Sequence, residues 1–216
     1  MSKIKIGIVN VTGYTGMELA RLLACHQQVE ITSVTGRSTA GSKLLEVLPF
    51  LTGPDLTIEE KLGNVDIAFA ALPHKESALQ VEALLQRGIK VIDISADYRL
   101  KDASLYPLWY GYRHPFPSLL NEAVYGLPEL YRSEIKKARL VANPGCYPTG
   151  AILALAPALK AGIIGQDIVV NSLSGISGAG RTLNLSNHYA EANEDASAYT
   201  LEKHRHMPEI KQGLNA

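Results

Sequence analysis

One cysteine of this chain lies where the sequence predicts a turn from a strand into a helix. Cys146 stands between an apolar run at 140–142, typical of a buried strand, and the apolar segment 151–156, typical of a helix. Unpaired N–H groups at a helix start stabilise negative charge, and cysteine acts as a nucleophile in its thiolate form. The sequence therefore offers Cys146 as a nucleophile. The alternative is a small core residue, because buried cysteines are common.

Two histidines near the end of the chain are candidates to exchange a proton with such a thiol. His204 and His206 stand just before Pro208, which suits the first turn of a helix. A histidine pair can also bind a metal, but no third ligand with suitable spacing accompanies it, so we expect no metal site. A cysteine activated by a histidine distant in sequence is the more common arrangement.

A glycine-containing turn near the N-terminus has the form of a phosphate cradle. It follows a predicted strand at residues 4–9 and precedes a predicted helix at 17–23. Backbone N–H groups and the helix start of such a turn face a pyrophosphate. Asn10 replaces the first glycine of the G-x-x-G-x-x-G pattern, and asparagine tolerates left-handed backbone. The residues expected to contact the dinucleotide are Thr12, Gly13, Tyr14, Thr15 and Gly16.

The end of the next predicted strand, residues 30–35, distinguishes between dinucleotides. NAD enzymes place an acidic residue there for the ribose hydroxyls, whereas this chain has Arg37 and Ser38. An arginine and a serine suit a 2′-phosphate, so the sequence favours NADP(H). The alternative for Arg37 is a solvated loop residue.

Two further loops open at the ends of predicted strands. Pro73 follows the strand predicted at 65–70, and a glycine-rich loop, residues 174–181, follows the strand predicted at 168–173. Glycines let the backbone approach a ligand closely, and Arg181 can bind a phosphate or a carboxylate. The alternative for the glycine-rich loop is a flexible linker.

The elements that position these residues alternate between strand and helix. This alternation predicts an α/β fold, a Rossmann-type doubly wound parallel sheet whose ligands bind at the carboxyl ends of the strands. Residues 1–145 are expected to bind NADP, and residues 146–216 to begin an α+β catalytic domain. Residues 102–122 are rich in aromatic residues and proline, and we expect an ordered surface excursion without regular elements there.

The composition excludes several classes of partner. Among 216 residues, 21 basic and 21 acidic side chains leave no net charge, which argues against nucleic acid and membrane surfaces. No apolar stretch reaches the length of a membrane-spanning helix, and no targeting segment is apparent. The two cysteines have neither zinc-site spacing nor a disulfide framework. We therefore expect a cytoplasmic protein.

Taken together, these motifs resemble those of the N-acetyl-γ-glutamyl-phosphate reductases, which are related to aspartate-semialdehyde dehydrogenase. Members of that family continue beyond the equivalent of Ala216, so the resemblance implies an incomplete catalytic domain. The matching stretches run in the family's order along almost the whole chain, and they comprise residues 12–16, 71–74, 93–100, 125–129, 143–149, 177–181 and 204–210.

The resemblance implies an NADPH-dependent enzyme of arginine biosynthesis. It would reduce an acyl phosphate to a semialdehyde and phosphate through a thioester on Cys146, with His204 or His206 as acid/base. It would form a homo-oligomer. Glu209 would contact substrate or hold a histidine. The remaining implied contacts are Asn143, Tyr147 and Arg181 to the substrate, and Ser177, Gly178 and Gly180 to the cofactor.

Three other functions remain open at this stage. The same chemistry can act on another acyl phosphate, such as an aspartyl or N-acetyl-aminoadipyl phosphate. A non-catalytic NADP-binding module would bind the dinucleotide without phosphate-dependent turnover. A cysteine hydrolase fits poorly, because nothing in that function explains the dinucleotide turn.

Overall fold

A single parallel sheet of seven strands organises residues 2–215, which a computed structural model describes. The strands are β1 (Ile4–Val9), β2 (Val29–Thr35), β3 (Ile58–Glu59), β4 (Ile67–Ala70), β5 (Lys90–Asp93), β6 (Val124–Tyr125) and β7 (Leu140–Ala142). Their order across the sheet is β3-β2-β1-β4-β5-β7-β6, and every pairing is parallel. The predicted Rossmann-type sheet is thus confirmed.

Helices lie in most of the connections between successive strands, whereas a loop joins β3 to β4. The predicted helix at 17–23 lies within α1, and the helix predicted after Cys146 is α7. The nine helices of the described residues are α1 (Tyr14–Ala24), α2 (Leu44–Val47), α3 (Glu76–Gln86), α4 (Leu105–Tyr110), α5 (Pro117–Glu122), α6 (Pro128–Ile135), α7 (Cys146–Lys160), α8 (Tyr189–Ala192) and α9 (Met207–Leu214). Among them, none is long and apolar enough to cross a membrane.

Apolar clusters cover both faces of the sheet, because successive side chains of a strand point to opposite faces. Ile6 and Ile8 of β1 belong to one cluster, which includes Ala20 of α1. Val9 belongs to the other, which includes Val81 of α3. With both faces buried, the functional groups are left to the ends of the strands and the loops beyond them.

The segment 102–122 is more regular than the sequence predicts. It contains α4 and α5, and Tyr106 and Leu120 are fully buried in the core. The expectation of a surface excursion without regular elements is therefore wrong. The two helices have only six residues each, which is too short for a helical repeat of apolar positions to stand out. Pro117 occupies the first turn of α5, where proline is tolerated.

The prediction of a strand at 168–173 is also wrong. These residues form neither strand nor helix, and Val169 and Leu173 are 93% and 90% exposed. An apolar run becomes a strand only where a neighbouring strand can take its backbone hydrogen bonds. Within residues 2–215, none of the seven strands pairs with this segment.

A buried carboxylate ends β5. Asp93 is fully buried and accepts hydrogen bonds from the Ser77 hydroxyl at 2.5 Å and the Ser95 hydroxyl at 2.7 Å. The Ser95 N–H donates to it as well, at 3.1 Å. Burial raises the pKa of Asp93 to about 6, although the serine hydrogen bonds act in the opposite direction.

Replacing Asp93 by asparagine should change how stability depends on pH. The pKa of Asp93 is about 6 in the fold against an ordinary 3.8, so folding favours the protonated acid. That stability is complete below pH 4 and is lost as pH rises through 6. The loss is about 3 kcal/mol, since one pH unit is worth about 1.4 kcal/mol.

Urea unfolding at pH 4, 5, 6 and 7 measures this effect. The free energy of unfolding of Asp93→Asn, minus that of the unsubstituted chain, should rise across the series, because asparagine does not ionise. A difference that stays constant with pH would contradict the assignment.

Candidate active site

Cys146 is the first residue of α7, directly after the turn that leaves β7. Gly145 caps the helix in an extended conformation, and its carbonyl accepts the Thr149 N–H at 3.0 Å. The Cys146 side chain is exposed and forms no disulfide. The alternative interpretation as a core residue is therefore wrong. An exposed thiol at a helix start can meet a ligand.

A buried carboxylate holds the turn that precedes Cys146. Glu209 of α9 is fully buried, and its Oε1 accepts the Gly145 N–H at 2.8 Å and the Tyr125 hydroxyl at 2.7 Å. Its Oε2 lies 3.5 Å from Nη1 of Arg99. In the described residues Glu209 thus bonds the cysteine turn and not a histidine side chain. The sequence alone suggested no bond from Glu209 to this turn.

Arg99 completes the support of the cysteine turn. Its Nε donates to the carbonyl of Asn143 at 2.8 Å, and its Nη2 donates to the carbonyl of Ile94 at 2.8 Å. The Asn143 N–H donates to the Asp93 carbonyl at 2.8 Å. The guanidinium therefore joins the end of β5 to the turn after β7. Sequence reasoning missed Arg99, although it lies in a matching stretch directly after a predicted strand.

Four aromatic rings form a cluster beside the start of α7. The rings of His204 and His206 are 4.8 Å apart, and Tyr147 packs edge-on against both, at 5.3 and 5.7 Å. Tyr199 packs against His204 at 5.5 Å, and its hydroxyl donates to the Tyr147 hydroxyl at 2.8 Å. The structure thus gathers three predicted site residues next to Cys146. Tyr199 had no signal in the sequence.

The pKa values of both histidines lie below the ordinary value of histidine. Burial lowers the pKa of His206 to about 3, and the nearby Arg99 guanidinium lowers it further. Burial and Arg205 lower the pKa of His204. The backbone N–H of His206 donates to Nδ1 of His204 at 3.1 Å, so the proton of neutral His204 is assigned to Nε2. Nδ1 of His206 is buried and has no partner in the described part of the chain.

The turn after β1 is built as a phosphate cradle. Asn10 adopts the left-handed conformation expected for it, with φ 63°, and its Nδ2 donates to the Ala71 carbonyl at 2.8 Å. The Gly13 N–H donates to the Asn10 carbonyl at 3.3 Å. A side chain at Gly16 would lie 2.3 Å from that carbonyl, so only glycine fits. The start of α1 is thereby brought close to the end of β1, as dinucleotide binding requires.

An open cleft of about 240 Å³ lies beside this turn. It is lined by Asn10 and by residues at the end of β2, including Thr35 and Arg37. Glu76 of α3 lines the opposite side and forms an ion pair with Arg37. Ser38 is exposed next to Arg37. The cleft offers a cation where a dinucleotide-binding sheet places the adenosine ribose.

The glycine-rich loop reaches the same turn from the other end of the chain. Nη1 of Arg181 donates to the Thr12 carbonyl at 2.9 Å. The preceding Ser177 and Gly178 belong to a 3-10 turn, Ile176–Ala179, and are exposed, as is Gly180. The structure therefore places Arg181 beside the turn after β1, whereas the resemblance assigned this residue to the substrate.

The remaining predicted cofactor residues lie at the same edge of the sheet. Tyr14 and Thr15 are exposed at the start of α1, and Pro73 is exposed after β4. The strands β1 and β7 are three positions apart, so the cradle and the cysteine turn are separated by about 14 Å along the sheet. In residues 2–215, no three His, Cys, Asp or Glu side chains are arranged to hold a metal ion.

Comparison with known families decides the classification. The family described as "Semialdehyde dehydrogenase, NAD binding domain" matches residues 5–138. The chain belongs to the semialdehyde dehydrogenase family. The second module of this family, "Semialdehyde dehydrogenase, dimerisation domain", matches residues 146–216. In this semialdehyde dehydrogenase chain, the first match contains the dinucleotide cradle and the second contains Cys146 and both histidines.

Curated relatives carry a more specific name. A protein of Dehalococcoides mccartyi named N-acetyl-gamma-glutamyl-phosphate reductase is 60% identical over 216 residues, which are 100% of this chain and 63% of the relative. A protein of the same name from Desulfotalea psychrophila is 52% identical, over 98% of this chain and 63% of the relative. This semialdehyde dehydrogenase chain thus spans about 63% of the length of these relatives.

Solved structures of the same family share the fold. Aspartate semialdehyde dehydrogenase II of Vibrio cholerae superposes with a TM-score of 0.55 at 18% identity, covering 74% of this chain and 47% of that chain. The aspartate semialdehyde dehydrogenase of Candida albicans gives 0.54 at 18% identity, covering 74% and 48%. At this identity the likeness extends to the fold.

Proposed function

We propose that this protein is an NADP-dependent acyl-phosphate reductase that converts N-acetyl-γ-glutamyl phosphate to N-acetylglutamate 5-semialdehyde and phosphate in arginine biosynthesis. The name of the relatives at 52–60% identity supports the substrate. The observation that carries the proposal is the exposed Cys146 at the start of α7, beside two neutral histidines and on the same sheet edge as the dinucleotide cradle.

The cysteine provides covalent catalysis. Its thiol loses a proton, the sulfur forms a bond to the acyl carbon, and the carbon–oxygen bond to phosphate breaks, so that phosphate leaves and a thioester remains. NADPH, when bound, supplies the hydride that reduces the thioester carbon. Backbone N–H groups at the start of α7 stabilise the oxyanion, and the sulfur leaves as the aldehyde forms.

His206 is our candidate for the acid/base. Its pKa of about 3 keeps it neutral in the unliganded site, so a ring nitrogen is free to accept a hydrogen bond from the thiol; it would take up the thiol proton once the negative charge of a bound acyl phosphate raises that pKa. Its ring lies against the cysteine turn, since a side chain on Gly145 would come within 2.5 Å of His206 Nε2. His204 has its Nδ1 engaged by the His206 N–H, so it offers only a donor at Nε2. We assign His204 to hold His206 and to donate to the substrate.

The remaining site residues divide between substrate and cofactor. Tyr147 borders the histidine rings and Asn143 lies in the cysteine turn, so both are proposed to border the acyl group. Glu209 is proposed to fix the turn and not to touch the substrate. The dinucleotide would be held by Thr12, Gly13, Tyr14, Thr15, Gly16, Arg37, Ser38, Pro73, Ser177, Gly178, Gly180 and Arg181.

Replacement of Arg37 by alanine should weaken NADPH binding about tenfold or more and change NADH binding less than twofold. The guanidinium is the cation at the end of β2 and would pair with the 2′-phosphate, a group that NADH lacks. Titration of both dinucleotides by nicotinamide fluorescence measures the two constants. Equal losses of affinity for NADPH and NADH would show that Arg37 does not recognise the 2′-phosphate.

The reverse reaction tests the function. The protein should reduce NADP⁺ in the presence of N-acetylglutamate semialdehyde only when inorganic phosphate is added, because phosphate must attack the acyl carbon of the thioester and displace the Cys146 sulfur. Aspartate semialdehyde and the N-acetyl-aminoadipate semialdehyde serve as comparison substrates. Faster turnover of either would reassign the substrate. NADPH binding without turnover of any of the three would indicate a non-catalytic module.

Assembly and location belong to the same proposal. The match of residues 146–216 to a dimerisation domain supports a homo-oligomer. A cytoplasmic location suits a nucleophile that must stay reduced. Light scattering of the purified protein measures the assembly, and a monomer at micromolar concentration would contradict it.

A further inference from the structure

Arg37 is the cationic residue among the described residues that line the cleft beside the turn after β1, and a carboxylate faces it. Glu76, the first residue of α3, forms an ion pair with Arg37 across the mouth of the cleft. The Arg37 and Glu76 side chains are 72% and 44% exposed, so a ligand in the cleft can reach both. Neither the sequence motifs nor the proposed reaction gives Glu76 a task.

The backbone fixes the position of Glu76. Lys75, which precedes it, adopts a positive φ of 77°, a conformation that side chains rarely adopt. Fully buried Asp97 holds it there, because its carboxylate accepts the Lys75 N–H at 2.7 and 2.8 Å and the Ala78 N–H at 2.8 Å. The first turn of α3 is thus anchored on both sides of Glu76, so the side chain starts from a defined point beside Arg37.

Such a carboxylate affects the two dinucleotides in opposite ways. A 2′-phosphate that binds Arg37 must displace Glu76 from the guanidinium and then lies close to a second negative charge. A 2′-hydroxyl can instead donate a hydrogen bond to Glu76. In NAD-binding sheets that acceptor comes from the end of the second strand, a position that Arg37 and Ser38 occupy here. Helix α3 would supply the missing acid from across the cleft.

We propose that Glu76 is a specificity-determining residue, which competes with the 2′-phosphate for Arg37 and accepts the ribose 2′-hydroxyl. It moderates the preference for NADPH and allows NADH to bind. This inference rests on the proposed dinucleotide function and adds a determinant of its selectivity.

The substitution Glu76→Gln tests the proposal with little change of shape. Glutamine gives up the ion pair, so Arg37 is released for the phosphate. An exposed ion pair is worth up to about 1 kcal/mol, so we expect the Kd of NADPH to fall about three- to fivefold and the Kd of NADH to rise or stay unchanged. Fluorescence titration measures both, and adenosine 2′,5′-bisphosphate against adenosine 5′-monophosphate isolates the adenosine half.

Glu60 provides the matched control. It lines the same cleft, and in the described residues its carboxylate forms no ion pair with Arg37. Glu60→Gln removes the same charge and should change the NADPH-to-NADH preference by less than half as much. If Glu60→Gln reproduced the effect of Glu76→Gln, a general charge effect would replace the proposal.

A double variant separates competition for Arg37 from simple repulsion. In an Arg37→Ala background, Glu76→Gln should change the affinity for NADPH less than twofold, because the contested cation is gone. An undiminished effect in that background would overturn the proposal. Failure of the unsubstituted protein to bind either dinucleotide would instead refute the proposed function, so the two failures are distinguishable.

Discussion

Replacing Cys146 by serine is expected to lower phosphate-dependent NADP⁺ reduction at least about a thousandfold and leave NADPH binding within twofold. Serine keeps the size of the side chain but does not ionise at neutral pH, and an alkoxide is a poor leaving group from the acyl carbon. The cradle lies about 14 Å away along the sheet, so the dinucleotide contacts are untouched. Initial rates and fluorescence titration measure the two effects.

Cys25 provides the control for this experiment. Cys25 is also exposed and forms no disulfide. It lies at the end of α1, far in sequence from Cys146 and from the histidines beside it. Cys25→Ser should retain full turnover, and iodoacetamide should still inactivate it. Residual turnover above about 1% in Cys146→Ser would show that the reaction does not depend on the Cys146 sulfur.

Replacing Glu209 by alanine should destabilise the protein by about 3–5 kcal/mol. The substitution leaves the buried Arg99 guanidinium without its counter-charge, and breaking such a pair from one side costs about that much. It also removes the acceptor of the Gly145 N–H and the Tyr125 hydroxyl. Urea unfolding gives the free energy of unfolding.

An exposed ion pair supplies the comparison for Glu209. Glu122 pairs with Arg139, both side chains being substantially exposed, so Glu122→Gln should cost less than about 1 kcal/mol. Glu209→Gln keeps an acceptor oxygen and serves where the alanine variant does not fold. In Glu209→Gln, the rate at which iodoacetamide alkylates Cys146 should change, since the turn loses its ionic support. Equal stability of Glu209→Ala and Glu122→Gln would contradict the role assigned to the buried pair.

The sheet could be predicted from the sequence because its strands are buried on both faces. Mainly apolar runs such as 4–9 and 140–142 correspond to β1 and β7, and the flanking glycines mark the turns. The same pattern failed at 168–173, because hydrophobicity does not reveal whether a neighbouring strand exists. It failed at 102–122 because six-residue helices show too few repeats to be recognised.

Only part of the candidate site could be predicted from the sequence, for a related reason. The position of Cys146 follows from local order: a strand, a glycine and a helix. The support around it does not, because Arg99 and Glu209 are 110 residues apart and meet only when α9 packs beside α7. The ion pair between Arg37 and Glu76 likewise joins the loop after β2 to the start of α3. Such contacts depend on the tertiary fold, which no short-range pattern encodes.

The order of the strands has a consequence for how the protein is made. Among the seven strands of the described residues, β1 is the earliest in the chain and lies inside the sheet, with β2 on one side and β4 on the other. Folding during synthesis can therefore start from β1 and β2 and extend the sheet outward through β4 and β5, whereas β6 must wait for β7, with which it pairs. The turn after β1 has its support once Ala71, which accepts the Asn10 side-chain amide, has been made, whereas the cysteine turn must wait for β7 and for α9, which begins at Met207. The turn after β1 is thus held in place well before the chain acquires a supported nucleophile.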